Sequence, residues 1–330
     1  MTSAYPQDWP ATVVEGRVPR SLLAEIESLL AAAEDSDGNP SLSEQTTVLM
    51  RSPETRSEEI VTIAVHALDD TSGSSAPEDL AGIAAIAFQP DGTGVVELAV
   101  HPTYRNQGVG VRLVEAIKEL RGPAGRTGLT AWSHGNHEAA AELASLYGYV
   151  PLRELWKMVL VRHADGPAPE LPEGVRIRTF EPGRDEDAWL AANRAAFAHH
   201  PEQGALRRSD LDARMGERWF DPAGFFLAVD DDDRILGFHW TKVHPAHGEH
   251  RALGEVYVVG VDPSAQGRGL GLALTRAGID YLHGRGLKTV MLYTDADNET
   301  AVALYRKLGF TLWDKDVLYG PTAAAPGQSG

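Results

Sequence analysis

The chain has 330 residues, 47 of them acidic and 30 basic, which gives a formal net charge of −17. This length predicts about two domains. The acidic balance argues against nucleic acid or an anionic membrane as a partner, because both are bound through basic surface. The sequence contains no cysteine, which excludes disulfides, cysteine-ligated metals and a cysteinyl acyl-enzyme.

The amino-terminal residues show no basic segment followed by an apolar run, so we expect no signal peptide. No apolar stretch approaches the ~20 residues that a membrane span needs. The hydrophobic content of 43% is typical of a globular protein. We therefore expect a cytoplasmic protein, acting as a monomer.

The first half of the chain shows a succession of helix and strand patterns. Residues 21–34 place apolar side chains at helical spacing, and Ser21 is the candidate N-cap. Residues 41–58 are polar and show no clear period. Runs of apolar residues between turn signals predict the remaining elements. The strands are expected at residues 60–67, 81–88, 94–100 and 129–132, and the helices at 109–120 and 138–146.

A linker is predicted at residues 164–174, which are rich in Pro, Gly and acidic residues. The expected domains are residues 1–163 and 175–320, and residues 321–330 read as a disordered tail. The second domain repeats the mixture of elements, and its acidic turn at 230–233 is interpreted as a solvated hairpin. Its helices are expected at 185–197 and 299–308, and its strands at 225–229, 235–243, 255–261 and 288–294.

The most informative stretch is residues 255–274, EVYVVGVDPSAQGRGLGLAL. It reads as a strand, a glycine-rich turn and the start of a helix. Glycine lets the backbone approach a ligand closely, and the free N–H groups of a helix start favour an anion such as a pyrophosphate. The Rossmann fingerprint fails because Leu272 replaces its third glycine, and no Walker A lysine follows. An ordinary glycine turn remains open at this point.

The same pattern occurs a second time upstream, at residues 97–113 (ELAVHPTYRNQGVGVRL). Adding 161 to each residue number brings Val100, Pro102, Gly108, Gly110 and Leu113 onto Val261, Pro263, Gly269, Gly271 and Leu274. One shift that holds over such a span indicates two copies of one domain. The copies differ where chemistry is expected, since the same shift maps Glu255 to Gly94, Tyr305 to Ala144, Asn298 to His137 and Gln266 to Arg105.

These motifs resemble the acyl-CoA signature of the GCN5-related N-acetyltransferase (GNAT) family. The resemblance rests on Val261, Pro263, Gln266, Gly269 and Gly271, followed by Asn298-Glu299-Thr300-Ala301, Tyr305 and Gly309-Phe310. It implies an α/β (α+β) fold of two tandem GNAT domains, each with a mixed, mostly antiparallel sheet. The sheet has a splayed parallel central pair and is flanked by helices.

Residues 175–315 further resemble the mycothiol synthases, a tandem branch of that family. Members of this branch move an acetyl group from acetyl-CoA to the cysteinyl amine of a cysteine–glucosamine–inositol conjugate. The segments that carry the likeness are AFAHHPEQG (196–204), GFHWTKVHP (237–245), LGEVYVVGVDP (253–263) and residues 297–310.

The resemblance also implies which residues bind the ligands. Acetyl-CoA contacts are implied in the second copy at Val259, Gly260, Val261, Gln266, Gly267, Arg268, Gly269, Leu270, Gly271, Leu272, Asn298, Glu299, Thr300, Ala301, Val302 and Ala303. A second acetyl-CoA is implied in the first copy at Leu98, Ala99, Val100, Asn106, Gln107, Gly108, Val109, Gly110 and Val111. Substrate contacts are implied at Glu44, Glu202, Lys242, Glu255 and Tyr293.

Two side chains are the candidate catalytic groups. Glu255 lies six residues before Val261, which on a regular strand places both on one face. A carboxylate there can serve as the general base or anchor for the amine, whose pKa is about 7.7–8.0. Tyr305 can protonate the departing thiolate, and N–H groups near residues 259–261 can polarise the thioester carbonyl. A salt-bridged strand glutamate and a core tyrosine are the alternatives.

Five histidines, His199, His200, His244, His247 and His250, lack a consistent helical i,i+4 pair. They are interpreted as loop residues, so no metal is expected. We expect the second copy to catalyse and the first to be degenerate. Two other functions remain open: a GNAT acetyltransferase for another amine, such as an aminoglycoside or a polyamine, and a non-catalytic acyl-CoA-binding protein.

Overall fold

A computed structural model describes residues 9–68, 77–89, 91–120, 128–161, 169–198, 201–204, 206–246 and 251–322. The chain divides into two compact units: Met1–Glu154 with Asp314–Gly330, and Leu155–Trp313. Among the described residues, no helix is both long and apolar enough to span a bilayer.

The first unit is a twisted sheet with helices on both faces. Its strand order is β1-β2-β3-β4-β5-β12, with β4 and β5 parallel. The helices are α1 (Arg20–Asp37), α2 (Glu44–Arg51), α3 (Val109–Glu119) and α4 (Glu138–Leu146). The strands are β1 (Ala11–Glu15), β2 (Ile60–Leu68), β3 (Pro77–Phe88), β4 (Gly94–Val100), β5 (Leu129–Ser133) and the end of β12 (Thr311–Pro321).

The core of this unit follows from the alternation of side chains along its central strands. On β2, Ile63 and Val65 pack with Leu113 of α3, while Ile60 on the other face packs with Ile26 of α1. Both faces are therefore covered, which explains why β2 and β3 read as continuous apolar runs.

The second unit has the same architecture. Its strand order is β6-β11-β10-β9-β8-β7, with β10 and β11 parallel. The helices are α5 (Glu186–Ala196), α6 (Pro201–Gly204), α7 (Arg208–Met215), α8 (Leu270–Gly284) and α9 (Glu299–Lys307). The strands are the end of β6 (Tyr149–Leu160), β7 (Arg176–Thr179), β8 (Phe225–Val229), β9 (Ile235–His244), β10 (Leu253–Val261) and β11 (Val290–Asp295). As expected from the sequence, each unit is a mostly antiparallel sheet with one central parallel pair.

Each unit is completed by a strand that follows the other unit's last helix. Residues 155–160 of β6, which comes after α4, pair with β11. Val317–Tyr319 of β12, which comes after α9, pair with β5. The compact units thus differ from the contiguous segments 1–163 and 175–320 by the exchange of these strand ends. Residues 164–168 of the predicted linker and the tail beyond residue 322 lie outside the described residues.

Three local expectations need correction. Helix α1 begins at Arg20, with Pro19 rather than Ser21 at the N-cap position and no side-chain cap. Helix α2 was not expected; the Ser43 hydroxyl caps it by accepting a hydrogen bond from the Thr46 N–H (3.2 Å). The acidic turn is not merely solvated, because Asp233 accepts hydrogen bonds from Arg176, Arg178 and Arg184, which hold its pKa below the usual value.

Candidate functional site: the cleft between β10 and β11

The parallel pair at the centre of the second unit separates partway along its length. Strands β10 and β11 pair only through Gly254–Val290, Glu255–Met291 and Val256–Leu292. Beyond Val256, β10 continues to pair with β9 as far as Val261. Residues 257–261 therefore border a gap in the sheet on the β11 side. The expected acetyl-CoA contacts Val259, Gly260 and Val261 all lie on this open edge.

A bulge at Tyr257 reverses the alternation of side chains along β10. Glu255 and Val256 lie opposite Lys242 and Thr241, but Val258 lies opposite Trp240, which leaves Tyr257 as an extra residue. The expectation that Glu255 and Val261 share a face is therefore wrong. Glu255 lies on the face of Lys242 and Trp240, and Val261 lies on the opposite face.

The glycine loop gives α8 an open amino terminus. Gly267 and Gly269 have φ values of +74° and +81°, and a Cβ on either would meet no atom within 4 Å. Backbone conformation, rather than space, thus requires glycine at both positions. Gly269 occupies the N-cap position and provides no side-chain acceptor, so the first N–H groups of this 15-residue helix can receive an anion.

The first unit reproduces this loop with a different side chain. Gly108, with φ +95°, caps α3 as Gly269 caps α8. The Gln266 amide donates to the Val261 carbonyl (3.4 Å), and the Arg105 Nε–H donates to the Val100 carbonyl (3.2 Å). Arg105 thus takes over the contact of Gln266, and it is also held by Asp37 at 2.6 and 2.7 Å.

Glu255 is a buried carboxylate with a histidine partner. His244 Nε2–H donates to Glu255 Oε2 over 2.6 Å, and only 10% of the Glu255 side chain is exposed. His244 is the last residue of β9, so its interpretation as a loop residue is wrong. The other four histidines of that group, at positions 199, 200, 247 and 250, lie outside the described residues. No cluster of three potential metal ligands occurs in the described ranges.

Lys242 and Tyr293 share the face of Glu255. The Lys242 ammonium lies 4.8 Å from the centre of the Trp219 ring and 5.3 Å from that of Tyr257. Tyr293 follows Met291, the register partner of Glu255, by two residues on β11. Glu202 lies in α6, but its side chain is outside the described residues. Glu44 is exposed in the first turn of α2, in the first unit.

Tyr305 lies on the opposite face of the second unit's sheet from Glu255. Its ring belongs to the apolar cluster that contains Val256, Leu292 and Val259, and it contacts Phe310 edge-on at 5.8 Å. Burial raises the pKa of its hydroxyl to about 12, so the phenol stays protonated at neutral pH. The Asn298 side chain caps α9 by accepting from the Ala301 N–H. Between the face of Glu255 and the face of Tyr305, the sheet is interrupted where β10 and β11 stop pairing after Val256.

The first unit contains a buried polar network that the sequence analysis did not predict. Glu97 of β4 accepts from His134 Nε2–H (2.8 Å), from the Ser43 N–H (3.0 Å) and from the Ser43 hydroxyl (3.1 Å). His134 Nδ1–H donates to Asp316 of β12 at 3.0 Å. Burial opposes the charge of the imidazole, but its two carboxylate partners raise the pKa of His134 to about 9.

Comparison of the two units explains why Glu97 was missed. Strand β4 pairs with β3 without a register shift, whereas β10 has the bulge at Tyr257. Gly94 and Gly254 begin the two parallel pairs, a difference of 160 residues, while Gly108 and Gly269 differ by 161. The structural counterpart of Glu255 is thus Val95 rather than Gly94, and Glu97 corresponds to Val258, the residue just after the bulge. The 161-residue shift maps Glu255 to Gly94. Glu97 lies three residues further along the chain, so the comparison of the two copies did not identify it.

The comparisons with known proteins agree with this architecture. Residues 188–310 match the model described as Acetyltransferase (GNAT) family, and residues 62–151 match the Acetyltransferase (GNAT) domain. The chain is 63% identical over 322 residues to the mycothiol acetyltransferase of Pseudarthrobacter chlorophenolicus, covering 97% of this chain and 99% of the relative. The counterpart in an Arthrobacter species is 61% identical over the same shares of the two chains.

Solved structures show the same tandem fold. A GCN5-related N-acetyltransferase from Sphaerobacter thermophilus is 27% identical, with a TM-score of 0.64 over 93% of this chain and 95% of that one. A tandem GNAT protein from the clavulanic acid biosynthesis pathway is 18% identical, with a TM-score of 0.70 over 96% and 100%, and this likeness concerns the fold alone. The chain therefore belongs to the GNAT family of acetyltransferases, and within it to the mycothiol acetyltransferases.

Proposed function

We propose that this chain acetylates the cysteinyl amine of a cysteine–glucosamine–inositol conjugate with acetyl-CoA, the last step of mycothiol biosynthesis. The observation that carries the proposal is the 63% identity, over nearly the full length, with a mycothiol acetyltransferase. The open strand edge beside a buried glutamate supports it, since this arrangement suits transfer from a thioester to an amine. We further propose that the protein works in the cytoplasm, as a monomer, without a metal.

In the proposed mechanism the second unit performs the transfer. The α8 amino terminus and the loop Gln266–Leu272 bind the pyrophosphate of acetyl-CoA, and the residues at the start of α9 complete the site. The thioester lies in the gap beside residues 259–261, whose N–H groups polarise its carbonyl. Lys242, Glu202 and Tyr293 contact the acceptor.

Bond changes follow from this arrangement. The neutral amine attacks the thioester carbon, so that a C–N bond forms and the C–S bond breaks. Glu255 accepts the amine proton, directly or through water, and Tyr305 donates a proton to the departing thiolate. The tyrosine regains its proton from solvent and Glu255 loses the one it accepted. The products are the amide and the free thiol of CoA.

We propose that the first unit binds acetyl-CoA but does not transfer the acetyl group. Its loop has the same backbone form, at residues 98–100 and 106–111. Glu97, which directly follows the parallel pair on β4, accepts hydrogen bonds from His134 and from the N–H and hydroxyl of Ser43. Although burial has the opposite effect, these contacts hold the pKa of Glu97 below its usual value, which makes it a poor base.

The test is release of CoA from acetyl-CoA in the presence of the desacetyl conjugate. We expect rapid release by the wild type and a loss of about 10²-fold or more in kcat for Glu255→Gln, the range of general-base contributions. Glu181→Gln, an exposed glutamate paired with Arg184, is the control and is expected to match the wild type.

Other outcomes separate the alternatives. No release with the conjugate, but release with an aminoglycoside or a polyamine, supports a GNAT enzyme with another acceptor. Binding of CoA without turnover on any amine supports a non-catalytic protein. A Glu255→Gln enzyme with wild-type turnover contradicts the assignment of Glu255 as the base. Calorimetric titration is expected to give two CoA per chain, and a value of one argues against occupation of the first unit.

A further inference from the structure

His244 connects the buried Glu255 carboxylate to the surface of the second unit. Its side chain is 36% exposed, against 10% for Glu255, and the two meet at Nε2 and Oε2 over 2.6 Å. A carboxylate can only accept, so the imidazole donates. This contact fixes one carboxylate oxygen and leaves Oε1 for the amine.

The contact follows from the strand register. His244 pairs with Leu253, and Lys242 pairs with Glu255, so the side chains of Lys242 and His244 lie on the same face of the sheet as Glu255. Lys242 is turned toward the rings of Trp219 and Tyr257. His244 donates a hydrogen bond to the Glu255 carboxylate from this face.

The rest of this face carries several polar groups. Tyr257 accepts from Arg214 Nε–H of α7 at 3.0 Å. Across β11 and β6, Tyr293 and Lys157 are register partners, and the Lys157 ammonium lies 4.6 Å from the centre of the Trp313 ring. Tyr257 and Lys157 thus each have a contact away from Glu255.

We propose that His244 is a positioning residue, which holds the Glu255 carboxylate in the orientation needed to receive the amine proton. This proposal rests on the proposed function, in which Glu255 is the base. His244 touches neither substrate in this account, and it acts only through Glu255. The imidazole N–H restricts rotation of the carboxylate, and without it the side chain has no fixed orientation toward the gap.

The experiment compares four variants with the wild type in the CoA-release assay: His244→Ala, His244→Gln, Glu255→Gln and the double variant His244→Ala/Glu255→Gln. Displacing a reacting group by ~1 Å costs ~10²-fold. We expect His244→Ala to lower kcat about 10- to 100-fold with the KM for acetyl-CoA unchanged. His244→Gln retains an N–H donor and is expected to recover most of kcat.

The double variant is the decisive measurement. If His244 acts only through Glu255, removing it from the Glu255→Gln enzyme has no further effect on kcat. His66→Ala is the matched control, because it removes a histidine–glutamate pair of 2.9 Å in the first unit and is expected to leave kcat unchanged. Thermal unfolding of each variant shows whether it is folded, and His244→Gln serves if the alanine variant is not.

The outcomes distinguish this proposal from the one on which it rests. Two outcomes refute the role of His244 but leave that of Glu255 intact, provided that Glu255→Gln loses activity. In the first, His244→Ala keeps the wild-type kcat. In the second, the losses of the two single variants multiply in the double variant. If Glu255→Gln itself keeps wild-type activity, the base assignment fails, and the positioning role fails with it.

Discussion

The stability of the first unit is expected to depend on pH through His134. Both of its ring nitrogens face carboxylates, Glu97 at 2.8 Å and Asp316 at 3.0 Å, and only 15% of its side chain is exposed. The folded-state pKa is about 9, against 6.5 for an unperturbed histidine. Since one pKa unit corresponds to 1.36 kcal/mol, the charged form contributes roughly 3 kcal/mol to the free energy of unfolding.

The sign follows from the direction of the pKa change. Because the folded state binds the proton more tightly than the unfolded state, the contribution is complete below pH 6.5. It is lost as the pH rises from 6.5 through 9. The free energy of unfolding should therefore fall by roughly 3 kcal/mol between pH 6 and pH 10 in excess of any background trend.

Urea unfolding at several pH values measures this loss, with His134→Gln for comparison. Glutamine does not titrate, so the variant is expected to be less stable than the wild type at pH 6 and to approach it at pH 10. Parallel curves for the wild type and His134→Gln would refute the argument.

Three further changes are expected to have measurable effects. Gly269→Ala places an L side chain on a backbone with φ +81°, a strain of about 1 kcal/mol. This variant should raise the KM for acetyl-CoA with little change in kcat, measured from initial rates. Tyr305→Phe keeps the ring packing but loses the proton, so kcat should fall about 10²-fold at an unchanged melting temperature; an unchanged kcat contradicts the acid role. In the wild type the pKa of about 12 predicts no alkaline loss of activity from Tyr305 below about pH 11. Gly278→Ala places a methyl group against the buried His239 ring and should destabilise the protein by ~1–3 kcal/mol, measured by urea unfolding, whereas Gly284→Ala has open space and is the control.

Local patterns in the sequence were sufficient for the elements and the cofactor loop. Strand β4 and helix α4 have the bounds that apolar spacing predicts, because burial imposes periods of two and 3.6 residues on the chain itself. The turn that Gly267 and Gly269 form before α8 was also expected, because the backbone conformation of a glycine turn is a local property. The repeat and the family follow from the same local information.

Only the tertiary structure decided which side chains meet. The bulge at Tyr257 is a feature of the pairing between β10 and β9, so counting residues along β10 put Glu255 and Val261 on the same face. His244 was read as a loop residue because nothing in its own segment shows that β9 extends far enough to bring it to Glu255. The register between two strands depends on the hydrophobic patterns of both strands and on the turn that joins them, so one segment alone does not reveal it.

The same reason accounts for the strand ends exchanged between the units. Asp316 lies 182 residues from His134 in the chain, yet β12 carries it into the first unit. No period or motif links two such residues. The sequence by itself thus determined the elements, the repeat and the family, whereas the contacts of Glu255 and of His134 required strand pairing between distant segments.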